Sequence, residues 1–559
     1  MSPAWSGNAV STHSNAGNSR MDRRSFAKIA SLLAAGSAFG SSLVGCSEFN
    51  FEIPCLGLAP APATIPGMTY IRASDLGCAL DCDLSNGRNK HTGGRATDDA
   101  PRMNAAMAAA TAEHPITLII DGSAMISGLF LPAAGNWSIA GLGCGTGFFV
   151  KTGANNDGIH NGPADAAIPF NAGPPAPPRG KNVSLSNFTL NGNQGDGHDG
   201  NSTSGMRLGS AAAWFCGINL MNLDNITIQN VVVVNTPSFH FRLSNVGNVA
   251  VDGCVMKSFG ISTDGLHFDG PSNDITITNC NFTTGDDAIA LNCPEGYTGD
   301  ITRVSVSNCT FNSLSLMRIY TTIGDSLKFY ARDITVSNCN GTFSEAAFVI
   351  GLANQSNPDS IYLSVTDCSL TALTAFAMAE NFGDIVLTRV TLIPVTNILA
   401  WNPPVSPDRE PAFMRPSPMY ETITSAGSNL TVNDCLIHRD SDTRVTGLML
   451  ANGSTIANLT FNGFAVQDAG SYRPVPELLN LTSGSIGQLM INSLTSQGII
   501  APVSPGGFTS IGLVSGTGTG VLTTAWEFPD GVMADAVPYI SANSGLPSIK
   551  VNGVVEPYS

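Results

Sequence analysis

A short strand motif returns along this chain with its polar punctuation intact, and that repeat constrains the fold more than any other feature. Asn182-Val183-Ser184-Leu185, Asn225-Ile226-Thr227-Ile228, Asn248-Val249-Ala250-Val251, Asp274-Ile275-Thr276-Ile277, Asp333-Ile334-Thr335-Val336 and Asn429-Leu430-Thr431-Val432 each open on Asn or Asp and then alternate. Asp300-Ile301-Thr302-Arg303-Val304-Ser305-Val306 is a longer version. Most are followed by a Cys behind an Asn, Asp or Gly: Cys254, Cys280, Cys309, Cys339, Cys368 and Cys435, at intervals of 26, 29, 30, 29 and 67 residues. Alternation sends successive side chains to opposite faces of a strand. A period of this length, with short β-branched strands and Asn/Gly turns, marks a solenoid. Strands this short favour a parallel β-helix over a sandwich, with coils about 4.8 Å apart. Equivalent residues then form ladders along the axis. The Cys series is expected to be an inward ladder of small buried side chains rather than a metal or redox site.

Composition agrees with a packed β protein. Apolar residues make up 43% and charged residues 12%, which excludes disorder for most of the chain. The net charge of −16 argues against nucleic acid as a partner, because such binding rests on neutralising phosphates. Thirteen Cys in 559 residues are too sparse for a small disulfide scaffold. One helix signal precedes the repeat. Thr97-Asp98-Asp99 comes before Met103, Ala106, Met107 and Ala110 at helical spacing, so Thr97 or Asp98 is the expected N-cap. The expected fold class is all-β, a parallel β-helix with a short N-terminal helix.

The first 46 residues read as an address. Met21-Asp22-Arg23-Arg24-Ser25-Phe26-Ala27-Lys28 is basic, Ile29 to Gly45 is apolar, and the run ends in Leu43-Val44-Gly45-Cys46. This resembles a twin-arginine export signal with a bacterial lipoprotein box, in which Cys46 is lipidated. The apolar run is too short and too rich in Gly and Ser to span a bilayer comfortably. Residues 47–68, with Pro54, Pro60, Pro62 and Pro66, read as a tether. Residues 69–440 hold the β-helix and its candidate catalytic strip, and residues 441–559 hold further coils and a C-terminal segment. The expected location is the periplasm or cell surface, with membrane contact only through a lipid on Cys46.

Carboxylates concentrate in one window. Thr263-Asp264-Gly265-Leu266-His267-Phe268-Asp269 is followed one coil later by Gly285-Asp286-Asp287-Ala288-Ile289-Ala290-Leu291. Matching the apolar alternation stacks Leu266 on Ile289 and Phe268 on Leu291, facing inward. Asp264 then sits beneath Asp287, and Thr263 beneath Asp286. The neighbouring coils turn Met317, Ile319, Phe239 and Phe241 inward. One outward strip results, carrying Asp264, Asp286, Asp287, His240, Arg242, His267, Asp269, Arg318 and Tyr320. Three carboxylates this close repel, so one is expected to hold a proton near neutrality. A protonated acid beside an ionised partner suits glycoside hydrolysis. A spacing of roughly 6.5–9.5 Å admits a water between the working pair and inverts the anomeric centre. A plain Gly-Asp-Asp turn and a calcium site are the competing readings of the same residues.

Thr263-Asp264-Gly265 followed by Gly285-Asp286-Asp287-Ala288-Ile289-Ala290 resembles the Asn-Thr-Asp and Gly-Asp-Asp motifs of the polygalacturonase and rhamnogalacturonase group, glycoside hydrolase family 28. Asn235-Thr236-Pro237-Ser238-Phe239 resembles that family's Asn-Ser-Pro-x-Phe coil, and the Thr97-Asp98-Asp99 helix resembles the N-terminal segment of pectate-lyase-superfamily β-helices. The resemblance covers roughly residues 70 to 390. It implies a right-handed parallel β-helix and inverting hydrolysis, with Asp286 as general acid and Asp264 with Asp287 activating water. No metal or cofactor is implied. His267, Asp269, Arg318, Tyr320, Arg242 and His240 become candidates for binding the polysaccharide. Two positions depart from the family pattern. Ser313-Leu314-Ser315 stands near where Gly-His-Gly belongs, and the family's Arg-Ile-Lys reads Arg318-Ile319-Tyr320. In polygalacturonases that Arg and Lys hold the substrate carboxylate. The missing Lys favours a neutral or less uniformly charged glycan, and His267 is the candidate stand-in for the missing His. Gly195-Asp196-Gly197-His198-Asp199-Gly200-Asn201 is expected to be a turn rather than a metal loop. The alternative functions are a non-catalytic glycan-binding β-helix and a polysaccharide lyase on the same fold.

Overall fold

The computed structural model describes residues 67–516, apart from residues 144, 155, 163–173, 195–214, 261, 324–326, 345, 352–358, 379, 396–410, 417–424, 442–444, 451–452, 470–476, 482–484, 497–500 and 504–509. Beyond them it describes short strands at Trp526–Phe528, Tyr539–Ile540, Ile549–Val551 and Val554–Glu556. The chain divides into two compact units, Met1–Asn50 and Phe51–Ser559. The first unit, with the export signal and Cys46, lies outside the described residues, as do most of the tether and the turn expected at 195–201. No helix among the described residues is long and apolar enough to cross a membrane.

The second unit is a parallel β-helix. One 35-stranded sheet links successive coils, and its pairings are parallel throughout. The repeat read from the sequence forms one face. Ile226 pairs with Val249, Val249 with Ile275, Ile275 with Val304, and Val304 with Ile334. The same column continues through Leu363, Ile385, Leu430 and Leu459. A second face stacks Phe241–Ser244, Leu266–Asp269, Asp287–Asn292 and Ser315–Tyr320. A third stacks Val232–Val234, Val255–Lys257, Asn281–Thr283 and Thr310–Asn312. Connections between parallel strands of one sheet are right-handed almost without exception, which agrees with the implied hand. Pairing continues past residue 440, where Ala426–Arg439 lies on Thr455–Asp468, and that strand on Ser485–Ser496.

The turns explain the punctuation. Asn230, Asn279, Asn308, Asn338, Asp367 and Asp434, most of them just before a ladder Cys, all have φ between 51° and 55°. Asn225, Asn248, Asp274 and Asp333, which open the repeat strands, have φ between 50° and 59°. This left-handed conformation costs most residues about 1–2 kcal/mol, and Asn and Asp tolerate it best after Gly. Two such residues per coil bend the chain at fixed places. Their side chains tie coils together where they stack: Asn225 Nδ2 donates to Asn182 Oδ1 at 3.1 Å, and Asn248 Nδ2 to Asn225 Oδ1 at 2.8 Å.

The core follows from this register. Cys254, Cys280, Cys309, Cys339, Cys368 and Cys435 are buried free thiols, and each Sγ donates to a backbone carbonyl two residues earlier, at 3.2–3.5 Å. Phe282 stacks on Phe311 with ring centroids 5.0 Å apart, and Phe348 on Phe376 at 4.7 Å. At the N-terminal end, the helix Ala100–Met107 buries Ala100, Met103 and Met107 against the same core. Its N-cap is Asp99, not Thr97 or Asp98. The Asp99 carboxylate faces elsewhere, accepting from the N–H groups of Ala79 and Leu80 at 2.8 and 3.0 Å. Asp98 accepts from the Ala100 N–H at 3.3 Å and pairs with Lys151 at 3.0 Å.

Asn308 is exposed, at φ 55°, directly before Cys309. Asn308→Gly is expected to leave the urea unfolding midpoint nearly unchanged, whereas Asn308→Val lowers stability by about 1–2 kcal/mol. Equal effects of the two substitutions would show that backbone conformation is not the constraint at this corner.

Candidate active site

The site forms where two adjacent coils present Asp at equivalent places. Leu266 pairs with Ile289 and Phe268 with Leu291, so Asp264 and Asp287 stand two residues before a matched pair. The Gly265 N–H donates to the Asp287 carbonyl at 3.0 Å, which locks this register. One carboxylate oxygen each from Asp264, Asp286 and Asp287 lies within 4.8 Å of the others. That is shorter than the roughly 6.5–9.5 Å that an intervening water calls for. Each like-charge pair at this distance costs about 3 kcal/mol at an effective dielectric of 20, so full ionisation is disfavoured.

The three carboxylates have different surroundings. Asp286 is the least covered. Its Oδ2 accepts from the Ser262 N–H at 2.8 Å and its Oδ1 from the Asp287 N–H at 3.1 Å. Burial first and the Asp264 charge second push Asp286 up to about 6, against the pull of Arg318. Asp287 is buried, and burial raises it well above the usual carboxylate range, with Asp286 and Asp264 adding to the effect. Arg318 opposes that shift, its Nε standing 2.9 Å from Asp287 Oδ2. Ser315 Oγ donates to Asp287 Oδ1 at 2.6 Å, so the Ser313-Leu314-Ser315 stretch does supply a neighbour to the trio. Asp264 faces His267, whose Nδ1 is 2.7 Å from Asp264 Oδ2.

The expected outward strip is only partly open. Arg242, His267 and Asp269 do leave the core side of their strands, stacking Arg242 on His267 and Ser244 on Asp269. Yet their exposures are 2%, 2% and 0%. They form a covered ion network instead of a row facing solvent. Arg242 Nε donates to Asp269 Oδ2 at 2.8 Å, and Nη2 stands equally close. Ser244 Oγ donates to the same oxygen. His267 Nε2 lies 3.0 Å from Asp269 Oδ1 and 2.9 Å from Glu295 Oε2. Phe239, expected to face inward, instead leaves the core and stacks on the imidazole at 3.9 Å, while Phe241 does face in. Burial works against charge on His267, but hydrogen bonds to Asp264, Asp269 and Glu295 outweigh it and hold the ring well above the usual range. Burial likewise works against charge on Asp269, and Arg242 with His267 outweighs it, so this carboxyl sits below the usual range. Positive charge at both clusters thus comes from side chains: Arg318 at the Asp trio, Arg242 and His267 behind it.

His240 is also enclosed, and burial brings it down to about 4. The neutral ring places Nδ1 2.8 Å from the Asp264 carbonyl, so Nδ1 carries the proton and donates. The His240 N–H donates to the same oxygen at 2.8 Å. His240 therefore holds the Asp264 main chain from behind. Tyr320 ends the strip, opposite Asn292 and mostly buried.

Sequence reasoning missed Glu295. The coil from Asp264 to Asp287 takes 23 residues, and that from Asp287 to its partner Ser315 takes 28. The surplus leaves the ladder at a corner: Asp269 pairs with Asn292, Gly270 with Gly296, and Ser272 with Ile301. Pro294-Glu295-Gly296 sits in that excursion, and Gly296 at φ 61° lets it close down on Asp269, where a Cβ would stand 2.6 Å from the Asp269 Cβ. Tyr297 Oη accepts from Asn222 Nδ2 at 3.1 Å and ties the excursion to earlier coils. A coil longer than its neighbour, with Pro-Glu-Gly at the excess, was the available signal.

Comparison with known proteins points to the same coils. The family model for glycosyl hydrolases family 28 matches residues 181–348. A polygalacturonase of Medicago sativa is 25% identical over 185 aligned positions, which take in 26% of this chain and 42% of that protein. The chain thus spans less than half the length of that relative. Among solved structures, the Streptococcus pneumoniae surface adhesin PfbA aligns with a TM-score of 0.46 and 13% identity, over 72% of this chain and 92% of its own. A family 28 exopolygalacturonase of Yersinia enterocolitica aligns with a TM-score of 0.42 and 12% identity, over 87% of this chain and 79% of its own. The chain is similar to glycosyl hydrolases family 28 over the coils that carry the Asp trio.

Removing one member of a buried ion pair leaves its partner uncompensated, at about 3–5 kcal/mol. Arg242→Met is expected to lower the stability of this unit by about that amount in chemical denaturation. A loss under about 1 kcal/mol would mean that Asp269 is neutralised some other way.

Proposed function

We propose that this chain is an exported glycoside hydrolase that cleaves a pectin-like or related polysaccharide with Asp286, Asp264 and Asp287. The observation that carries the reading is the trio itself: three carboxylates with oxygens within 4.8 Å, the most accessible raised to about 6. A purely structural stack of bare carboxylates costs stability, so its presence asks for a use.

Burial and neighbouring charge raise both Asp286 and Asp287, and the proton this favours in the trio belongs to the group as a whole. Placed on Asp286, it is available to the leaving glycosidic oxygen. Asp287 is then ionised against Arg318 and, with Asp264, draws a proton from the attacking water. With the trio this close, that water is proposed to sit beside Asp264 and Asp287 rather than in a gap between acid and base. Attack from the side opposite the leaving group inverts the anomeric centre. Arg318 and Tyr320, on the coil after the Gly-Asp-Asp turn, are the proposed contacts to the sugar, with Arg318 the more exposed of the two. Export through the twin-arginine signal and a lipid on Cys46 would place the site at the periplasm or cell surface, where polysaccharide is met.

Residues 47–559 are expected to release reducing sugar from one member of a panel of pectic and neutral polysaccharides. Asp286→Asn should abolish release while the circular dichroism spectrum stays unchanged. Activity should decline as pH rises through about 6, because the acid must be protonated to donate. Proton NMR of the first-formed product reads the anomer, and retention would replace direct water attack by a covalent intermediate. Binding without release, unaltered when all three Asp are replaced, would favour a glycan-binding β-helix. An unsaturated product would favour a lyase.

A further inference from the structure

Glu295 belongs to none of the groups that the proposed chemistry uses, yet it is 5% exposed and pointed at one that backs them. His267 meets carboxylate oxygens at both ring nitrogens: Asp264 at Nδ1, and Asp269 and Glu295 at Nε2. With Asp264, Asp269 and Glu295 ionised, each only accepts, so both nitrogens carry protons and the ring is an imidazolium. Asp269 is a divided partner, because Arg242 and Ser244 already occupy its other oxygen. Glu295 Oε2 is the nearer acceptor at Nε2, at 2.9 Å.

We propose that Glu295 is a positioning residue: from the corner excursion after the Asp287 strand it completes the acceptor set that keeps His267 doubly protonated, and His267 in turn fixes the Asp264 carboxylate. The inference rests on the reading of Asp264 as one of the two water-activating groups. The path is short, Glu295 Oε2 to Nε2 at 2.9 Å and Nδ1 to Asp264 Oδ2 at 2.7 Å across one rigid ring. Phe239 stacked on that ring removes its rotational freedom. The charged and titratable groups around His267 are Asp264 and Asp269 on its own coil, His240 and Arg242 on the coil before, Asp286, Asp287 and Glu295 on the coil after, and Arg318 one coil further. Arg242 and Arg318 are each paired with a carboxylate, Asp269 and Asp287, which leaves Asp264 at Nδ1 and Glu295 at Nε2 as the carboxylates directed to the imidazole.

The test uses the full chain labelled with 15N-histidine, with the His267 signals assigned by their loss in His267→Asn. In the parent protein both ring nitrogens of His267 are expected to remain protonated at pH 8. In Glu295→Gln the ring is expected to lose its second proton at a pH lower by a unit or more, about a tenfold drop in proton affinity. On the glycan that the screen identifies, kcat should fall on the order of ten- to a hundredfold with KM held within about twofold, as loss of orientation at a reacting group predicts. A neutral His267 at pH 7 in the parent overturns the proposal without any variant. An unchanged titration in Glu295→Gln also overturns it, and so does a shifted titration with unchanged kcat. Should Glu295→Gln fail to fold, Tyr297→Phe loosens the excursion by removing its contact with Asn222, and a smaller shift in the same direction is expected. No release on any glycan counts against the hydrolase reading, and the titration still decides whether Glu295 governs the charge of His267.

Discussion

Everything here depends on register between successive coils. A parallel ladder repeats each residue's surroundings about 4.8 Å further along the axis. A one-residue slip would send the Leu266 and Phe268 side chains out of the core and His267 into it. The left-handed Asn and Asp residues prevent such a slip. They put the bends at fixed positions in each coil, and the Asn182, Asn225 and Asn248 side chains bond from coil to coil at one of those bends. The inward Cys and Phe ladders depend on the same bends. So does the meeting of Asp264 with Asp287.

The trio is therefore an electrostatic debt that the backbone imposes and the neighbours offset. Parallel stacking brings like residues together, which suits Val and Ile but sets carboxylate against carboxylate. Three features limit the cost. Arg318 comes in from the coil after the Gly-Asp-Asp turn. Burial and mutual repulsion favour keeping a proton on the group. Further charge, Arg242 with Asp269 and His267 with Glu295, lies buried behind Asp264.

The sequence exposed what repeats and concealed what does not. The stacking of Leu266 on Ile289 and of Ile289 on Met317 was readable because apolar alternation has a single solution over those coils. The Cys ladder was readable for the same reason. The enclosure of Arg242, His267 and Asp269 was not, because alternation reports which side of a strand a residue leaves and says nothing of what covers that side. Glu295 was hidden because it sits in the part of its coil that departs from the period. The helix start slipped by a residue or two because Asp99 occupies the cap position while its carboxylate serves Ala79 and Leu80.

The excursion that carries Glu295 also bears on how such a chain can change over generations. Pairing slips after Asp269, yet by Asn273 and Thr302 the two coils are in step again. The extra residues are absorbed in one corner, and neither the hydrophobic column nor the next Cys notices them. Insertions at such corners leave the ladder in step while they rebuild the wall behind the Asp trio. A lineage on this scaffold is free to exchange its chemistry one corner at a time, with the interior acting as an unchanging spine.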